Sequence, residues 1–274
     1  MLTPDQTRAF YNSWVEPDLY ASWSGLWRKQ FKIVANEGRF IALNKKTPRL
    51  NYRKLRKIAV KMTPIHIYAS VMEYLRPEKV LSKDRTLKAY PIGGEFVIDI
   101  DAYMNYQKHR HKTEPEGFCY DCLSQAKELS LKLLDMVEIN YEDILIVFSG
   151  KHGFHIHVRD FEVRDWTYYD ARNPLKSHEV ARRKYVEMLK EYAPEAFDKA
   201  HYILSCDVTR VMTLPETLNG ETGLVCSAYD LSQFKLKSVE DIVEKARGQK
   251  HITEGANWQL ATEWRNPRYN LLSP

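Results

Sequence analysis

Apolar and polar positions alternate along this chain with two periods, and the switches between them divide it into elements. Residues 4–20 and 52–76 carry apolar side chains mainly at helical spacing, with short extended pieces between them such as Arg39–Leu43. Inside the second stretch, Ile65–Ser70 also reads as a strand, leading to a helix that stops near Pro77. The run Phe96-Val97-Ile98-Asp99-Ile100-Asp101 is dense in β-branched residues and predicts a buried strand. An irregular polar stretch, Tyr103–Phe118, follows it. Leu123, Ala126, Leu129, Leu133, Leu134 and Val137 then recur at the spacing of one helix face. Ile144–Phe148 and Phe154–Val158 predict two more buried strands, with Gly150 and Gly153 in the turn between them. A helix over roughly Ser177–Tyr192, a strand near Tyr202–Leu204 and one helical stretch beyond Ser238 complete the pattern, and the tail ends in coil. Strands mixed with helices, including one hairpin-like pair, predict an α/β (α+β) chain with a central mixed sheet flanked by helices.

Length and composition narrow this picture only a little. A chain of 274 residues buries a substantial core, as one large domain or one domain with an inserted module. Its 44% hydrophobic and 28% charged residues are those of an ordinary globular protein. No internal repeat or Gly/Ser linker divides it. The net charge of +5 is mildly basic, but the charge is unevenly placed. Between Arg39 and Lys61 stand Arg39, Lys45, Lys46, Arg49, Arg53, Lys54, Arg56, Lys57 and Lys61, with no acidic residue. Such a stretch is either a solvated face or a track for a phosphate backbone. The four cysteines suggest no disulfide framework in a chain of this size. No apolar stretch is long enough to span a bilayer and the N-terminus has no signal-peptide pattern, so the expectation is a soluble cytoplasmic protein with no membrane partner.

Four constellations carry chemistry. Side chains alternate along a strand, so Asp99 and Asp101 point the same way with Cα atoms roughly 7 Å apart. Two carboxylates on one face of a buried strand repel each other unless a cation sits between them, and carboxylate-held divalent metals commonly serve phosphate chemistry. The alternative is one strand-end Asp beside a helix-capping neighbour. The second constellation, Phe148-Ser149-Gly150-Lys151-His152-Gly153-Phe154-His155-Ile156-His157-Val158, joins a glycine turn to two histidines on one strand face. Glycines let backbone N–H groups approach an anion, Ser149 and Lys151 add donors, and His155 can donate to a phosphate or carry a proton. A plain hairpin turn with a core histidine is the other reading. The third is Cys206-Asp207-Val208-Thr209-Arg210, followed by Leu214-Pro215-Glu216-Thr217-Leu218-Asn219-Gly220-Glu221-Thr222-Gly223. It offers either a structural Asp–Arg pair or a metal-facing carboxylate with a phosphate-binding Arg210. The fourth, His109 and His111 followed by Cys119 and Cys122, matches a tetrahedral structural zinc site; a redox Cys-x-x-Cys pair is its competitor. Cys206 and Cys226 read as small core residues.

The first three stretches, in this order, resemble the archaeo-eukaryotic primase superfamily, and within it the small catalytic subunits of archaeal DNA primase. That family carries an Asp-x-Asp strand, a Ser-Gly-x-x-Gly-x-His-x-x-Val motif, and an Asp upstream of an Arg and a Pro-x-Ser/Thr-Leu loop. Pro64–Ser70 is similar to a segment preceding the first motif, so the resemblance runs from about residue 10 to residue 225. It implies a single primase catalytic domain over 1–274, with 103–122 as a zinc-binding stem formed by His109, His111, Cys119 and Cys122. It also implies a DNA-directed nucleotidyltransferase, hence a nucleoid-associated enzyme, that makes primers on a single-stranded DNA template from NTP or dNTP. Two divalent cations, Mg or Mn, would be held by Asp99, Asp101 and Asp207, and Ser149, Gly150, Lys151, His155, Arg210 and Asn219 would bind the nucleotide. A primase large subunit is the implied partner.

Two departures from the family pattern bear on this assignment. The family's third loop usually reads Ser-Leu-His-Gly-Lys-Thr-Gly; here Asn219 replaces the His and Glu221 replaces the Lys, which removes a positive charge. The third carboxylate is also open, because Asp198 and His201 stand at about the family's spacing before the motif arginine. Other readings are a metal-dependent sugar-nucleotide transferase, which also uses Asp-x-Asp, and a degenerate primase paralogue that only binds DNA or a partner.

Overall fold

The computed structural model describes residues 2–35, 38–44, 47, 49–80, 89–101, 117–159, 161, 172–197 and 206–248. His109, His111, Asp198, His201, most of Tyr103–Phe118 and the strand expected near Tyr202–Leu204 lie outside the described residues. In chain order the helices are α1 (Pro4–Ser13), α2 (Asp18–Ser22), α3 (Tyr52–Met62), α4 (Tyr120–Asn140), α5 (Pro174–Tyr192), α6 (Pro194–Phe197), α7 (Leu231–Leu236) and α8 (Val239–Gly248). The strands are β1 (Lys29–Val34), β2 (Phe40–Ala42), β3 (His66–Tyr74), β4 (Pro91–Gly94), β5 (Phe96–Asp101), β6 (Ile144–Phe148), β7 (Gly153–Val158), β8 (Val211–Thr213) and β9 (Ala228–Asp230). No helix among the described residues is long and apolar enough to cross a membrane.

The α+β class is as the sequence predicts, but the expected mixed sheet is instead two sheets. A five-stranded sheet has the order β2-β1-β3-β4, with β8 also pairing with β3, and a four-stranded sheet has the order β5-β7-β6-β9. Each pairing among the described strands is antiparallel. Short hairpin connections explain this for β1–β2 and β6–β7, since sequential strands joined through a turn must run in opposite directions.

Two helical expectations are also corrected. The segment 4–20 is two helices: α1 starts at a capping box between Thr3 and Gln6, and α2 starts after Pro17. The segment 52–76 is helical only to Met62. Thr63 closes α3 in the left-handed region at φ 43°, donating its N–H to the Ala59 carbonyl, and Pro64 follows. From His66 to Tyr74 the aromatic and β-branched residues form β3, so no helix precedes Pro77.

Strand alternation assigns the faces of the four-stranded sheet. Phe96, Ile98, Ile100, Ile144, Ile146, Phe148, Phe154, Ile156 and Val158 pack against α4, α5 and α8 in the larger core. The opposite face carries Asp99, Asp101, His155 and His157, and its Leu145 and Val147 share a second core with Phe31, Ile33, Ile67 and Ala69 of the five-stranded sheet. Val97 joins Val71, Met72 and Met212 in a third. The polar strand residues therefore face the other sheet, away from the helices. One residue, Glu95, separates β4 from β5, and there the chain passes from one sheet to the other.

Candidate functional site

The site is built on the β5–β7 pair. Asp99 stands opposite His155 and Asp101 opposite Gly153. Both Asp99 and His155 are buried, and His155 Nε2 lies 3.4 Å from Asp99 Oδ1. Burial pushes the pKa of His155 down to about 4; Asp99 pulls it upward, while His157 and Arg210 push it further down. The imidazole is thus neutral at pH 7. Its Nδ1 is buried with no hydrogen-bond partner among the described residues. Gly153 is fixed by its neighbours: a Cβ there would come 1.9 Å from the Ile100 carbonyl oxygen and 2.6 Å from Asp101 Oδ1. A side chain at this position would force β5 and the second aspartate away.

The turn leading into β7 is held from within and from one neighbouring loop. Ser149 Oγ accepts from the backbone N–H of His152 (3.2 Å) and of Gly153 (3.1 Å). Gly150 is left-handed at φ 80°, and a Cβ on it would meet Asn219 Cβ at 2.6 Å. Asn219 Nδ2 donates to the Ser149 carbonyl (3.0 Å), and its Oδ1 accepts from Glu221 N (3.1 Å) and Thr222 N (3.4 Å). Thr222 Oγ1 donates to the Gly150 carbonyl (2.7 Å). Lys151 and Glu221 form an ion pair across the two segments, and that hydrogen bond is the main cause holding the Glu221 carboxyl below its usual range. Ser149 and Asn219 therefore tie the loops together, and the one lysine of the turn is neutralised by the residue that replaces the family's lysine.

Arg210 and Asp207 flank the start of β8. Asp207 Oδ1 accepts from Thr209 N (2.8 Å) and Thr209 Oγ1 (2.7 Å), a local turn that shapes the approach to Arg210. Arg210 Nε is buried and has no hydrogen-bond partner among the described residues. Lys32 on β1 is half-buried, and burial lowers its pKa against the opposing pull of Asp207. Buried cationic nitrogen without a partner is costly unless an anion completes it.

Sequence reasoning missed the layer beneath this site. Lys29, Glu95 and His157 are 0%, 4% and 1% exposed, so three ionisable groups share the dry seam between the sheets. Lys29 Nζ donates to Glu95 Oε1 (2.7 Å) and to the Ser70 carbonyl (2.9 Å), and Glu95 Oε2 meets His157 Nδ1 at 3.0 Å. Arg182 of α5 donates to the Glu95 carbonyl at 2.6 Å. Burial works to raise the Glu95 pKa, but Lys29 and His157 outweigh it and hold the carboxyl at about 2. The available signal was a charge at each boundary of an apolar run: Glu95 before Phe96–Ile98 and Lys29 at the start of β1.

The structure thus gathers Asp99, Asp101, His155, Ser149, Gly150, Lys151 and Asn219 around one end of the β5–β7 pair, with the charge of Arg210 felt at His155. Among the described residues, no three or more His, Cys, Asp or Glu side chains are grouped to hold a metal ion, so Asp207 is not brought into one such group with Asp99 and Asp101. The hard oxygen donors of Asp99 and Asp101, on one strand face, fit a divalent cation such as Mg or Mn, and the unpartnered nitrogens of Arg210 and His155 fit its anionic counterpart. Cys119 stands at the N-cap position of α4 and Cys122 lies in its first turn; both are buried and neither is in a disulfide among the described residues. Cys206 and Cys226 are buried core residues, as read from the sequence.

The family model described as DNA primase small subunit matches residues 98–231. The DNA primase small subunit PriS of Pyrobaculum calidifontis is 31% identical over 224 residues, covering 72% of this chain and 69% of the relative. That of Pyrobaculum aerophilum is 33% identical over 220 residues, covering 70% and 68%. Among solved structures, the polymerase domain of Mycobacterium tuberculosis ligase D in complex with DNA superposes with a TM-score of 0.52. It covers 93% of each chain at 9% identity, a likeness of fold.

Proposed function

The chain belongs to the DNA primase small-subunit family, and from that premise we propose that it is a DNA-templated nucleotidyltransferase that synthesises short primers on single-stranded DNA. The observation that carries this reading is the register of β5 and β7, which sets Asp99 and Asp101 on one face beside His155 and leaves room for them through Gly153. The sugar-nucleotide transferase reading has no comparable support.

In this reading Asp99, Asp101 and Asp207 would hold two divalent cations, Mg or Mn, which would supply Lewis-acid activation of the primer 3′-hydroxyl and charge neutralisation of the triphosphate. The chain's own residues supply the rest. Arg210 presents an unpartnered buried Nε toward phosphate oxygen. His155, whose Nδ1 has no partner among the described residues, can donate a neutral imidazole N–H to a phosphate oxygen. Lys151 exchanges the Glu221 carboxylate for a phosphate. The Ser149 and Asn219 ties keep the turn at fixed height over the strand ends. His109, His111, Cys119 and Cys122 suit a structural zinc, and a primase large subunit is the proposed partner.

The test is incorporation on a single-stranded template. The purified chain, alone and with a candidate large subunit, is given oligonucleotide template, NTP or dNTP, and Mg or Mn. Products whose sequence follows the template are expected. No incorporation under any of these conditions supports the degenerate-paralogue reading.

A further inference from the structure

Helix α3 buries Tyr52, Leu55 and Ala59 on one side. Arg56 is committed to the same packing, with Nε donating to the Tyr11 carbonyl at 3.1 Å and Nη2 to that of Asn12. The other side carries Arg53, Lys57 and Lys61, each exposed. These positions are spaced i, i+4, i+8, so they form one row in which successive residues rise about 6 Å along the axis. Like charges at this spacing destabilise a helix. Elsewhere among the described residues, several helix cations find carboxylates: the exposed Lys132 pairs with Glu195 and the exposed Lys235 with Glu138, and the half-buried Arg247 pairs with Glu244. Arg53, Lys57 and Lys61 make no ion pair among the described residues, and no acidic residue lies between 39 and 61 to offer one. A self-repelling row kept without counter-charge fits a regularly spaced external polyanion.

The row also leads to the site. Beyond Lys61 the chain passes through Thr63 and Pro64 to Ile65, against which Gly220 packs so closely that a Cβ would meet Ile65 Cγ2 at 2.2 Å. Glu221, the next residue, pairs with Lys151 in the turn that ends at Gly153, opposite Asp101. We propose that Arg53, Lys57 and Lys61 form the phosphate track that holds the single-stranded DNA template and delivers it to the Asp99–Asp101 strand. The delivery rests on the nucleotidyltransferase reading; the binding surface does not.

Fluorescence anisotropy with a labelled single-stranded oligodeoxynucleotide, over a series of salt concentrations, tests it on the full chain. Each phosphate contact contributes about 0.7 to the slope of log affinity against log salt, so the triple variant Arg53→Gln/Lys57→Gln/Lys61→Gln should flatten that slope by about 2. The control Lys132→Gln/Lys235→Gln should keep the wild-type slope, and the thermal midpoint of the triple variant should confirm that it folds, since Gln is a good helix former. An unchanged slope and affinity in the folded triple variant overturns the proposal, as does a wild-type chain that binds no single-stranded DNA at any salt. Calorimetry of nucleotide with Mn separates the two claims. If the triple variant loses DNA binding while the wild type neither binds nucleotide nor incorporates it, the track stands and the catalytic reading fails.

Discussion

Glu95 and His157 meet in the seam between the two sheets, Oε2 to Nδ1 at 3.0 Å, and the other Glu95 oxygen receives Lys29 at 2.7 Å. The crossing point of the chain from one sheet to the other is thus pinned by charge as well as by backbone. Removing one partner of such a buried group leaves the other uncompensated. Glu95→Gln is expected to lower unfolding stability by about 3 kcal/mol, measured by denaturant titration, because the Lys29 charge stays buried without its counter-ion.

The same residue gives the protein a stability dependence on acid. The folded pKa of Glu95 is near 2, below its ordinary value of 4.5. Its contribution is therefore complete above about pH 4.5 and is lost as pH falls toward 2. Stability measured across this window should decline more steeply in the wild type than in the Glu95→Gln variant. Equal slopes would show that Glu95 is not held ionised.

Gly153 is where the strand geometry leaves no space. Gly153→Ala places a methyl group 1.9 Å from the Ile100 carbonyl oxygen and 2.6 Å from Asp101 Oδ1. A loss of about 1–3 kcal/mol in stability is expected from the overpacking. Displacement of Asp101 should reduce nucleotide incorporation by about a hundredfold, read in a template-dependent assay at a temperature where the variant is folded.

Asn219 ties the third loop to the turn through its hydrogen bond to the Ser149 carbonyl, and holds the loop itself by accepting from Glu221 N and Thr222 N. Asn219→Ala should cost about 1–3 kcal/mol and speed amide exchange at Glu221 and Thr222, whose N–H groups lose their acceptor.

Glu221 competes with any anion for Lys151. Glu221→Gln should tighten binding of nucleotide triphosphate by up to about fivefold, the equivalent of ~1 kcal/mol for an exposed pair, as seen by calorimetry with Mn. Lys151→Ala should weaken it.

The four-stranded half of the molecule was readable in the sequence because each of its long elements has one clean period. The strand over Phe96–Asp101 has the predicted bounds, and the Ile144–Phe148 and Gly153–Val158 hairpin and the Tyr120–Asn140 helix follow the apolar pattern. The five-stranded half was readable only in part: Arg39–Leu43 contains β2 and Ile65–Ser70 overlaps the first half of β3. In β1, Lys29 and Lys32 interrupt the apolar alternation because one is buried against Glu95 and the other lies near Asp207. Val211–Thr213 of the five-stranded sheet and Ala228–Asp230, the edge strand of the four-stranded sheet, are three residues each, too short to show a period. At the site, strand alternation set Asp99 and Asp101 on one face, and the register of β5 and β7 adds His155 opposite Asp99. The Lys29–Glu95–His157 group joins residues 66 and 62 positions apart in sequence, and only the tertiary fold brings them into contact.

The central claim is that the two β5 aspartates serve nucleotidyl transfer on a DNA template. Incorporation of labelled nucleotide on a single-stranded oligonucleotide, measured for wild type and for Asp99→Asn/Asp101→Asn at matched folded concentration, tests it directly. Template-directed product from the wild type, with a drop of at least about a hundredfold in the variant, is the predicted result. Wild-type rates from the double variant would contradict the account.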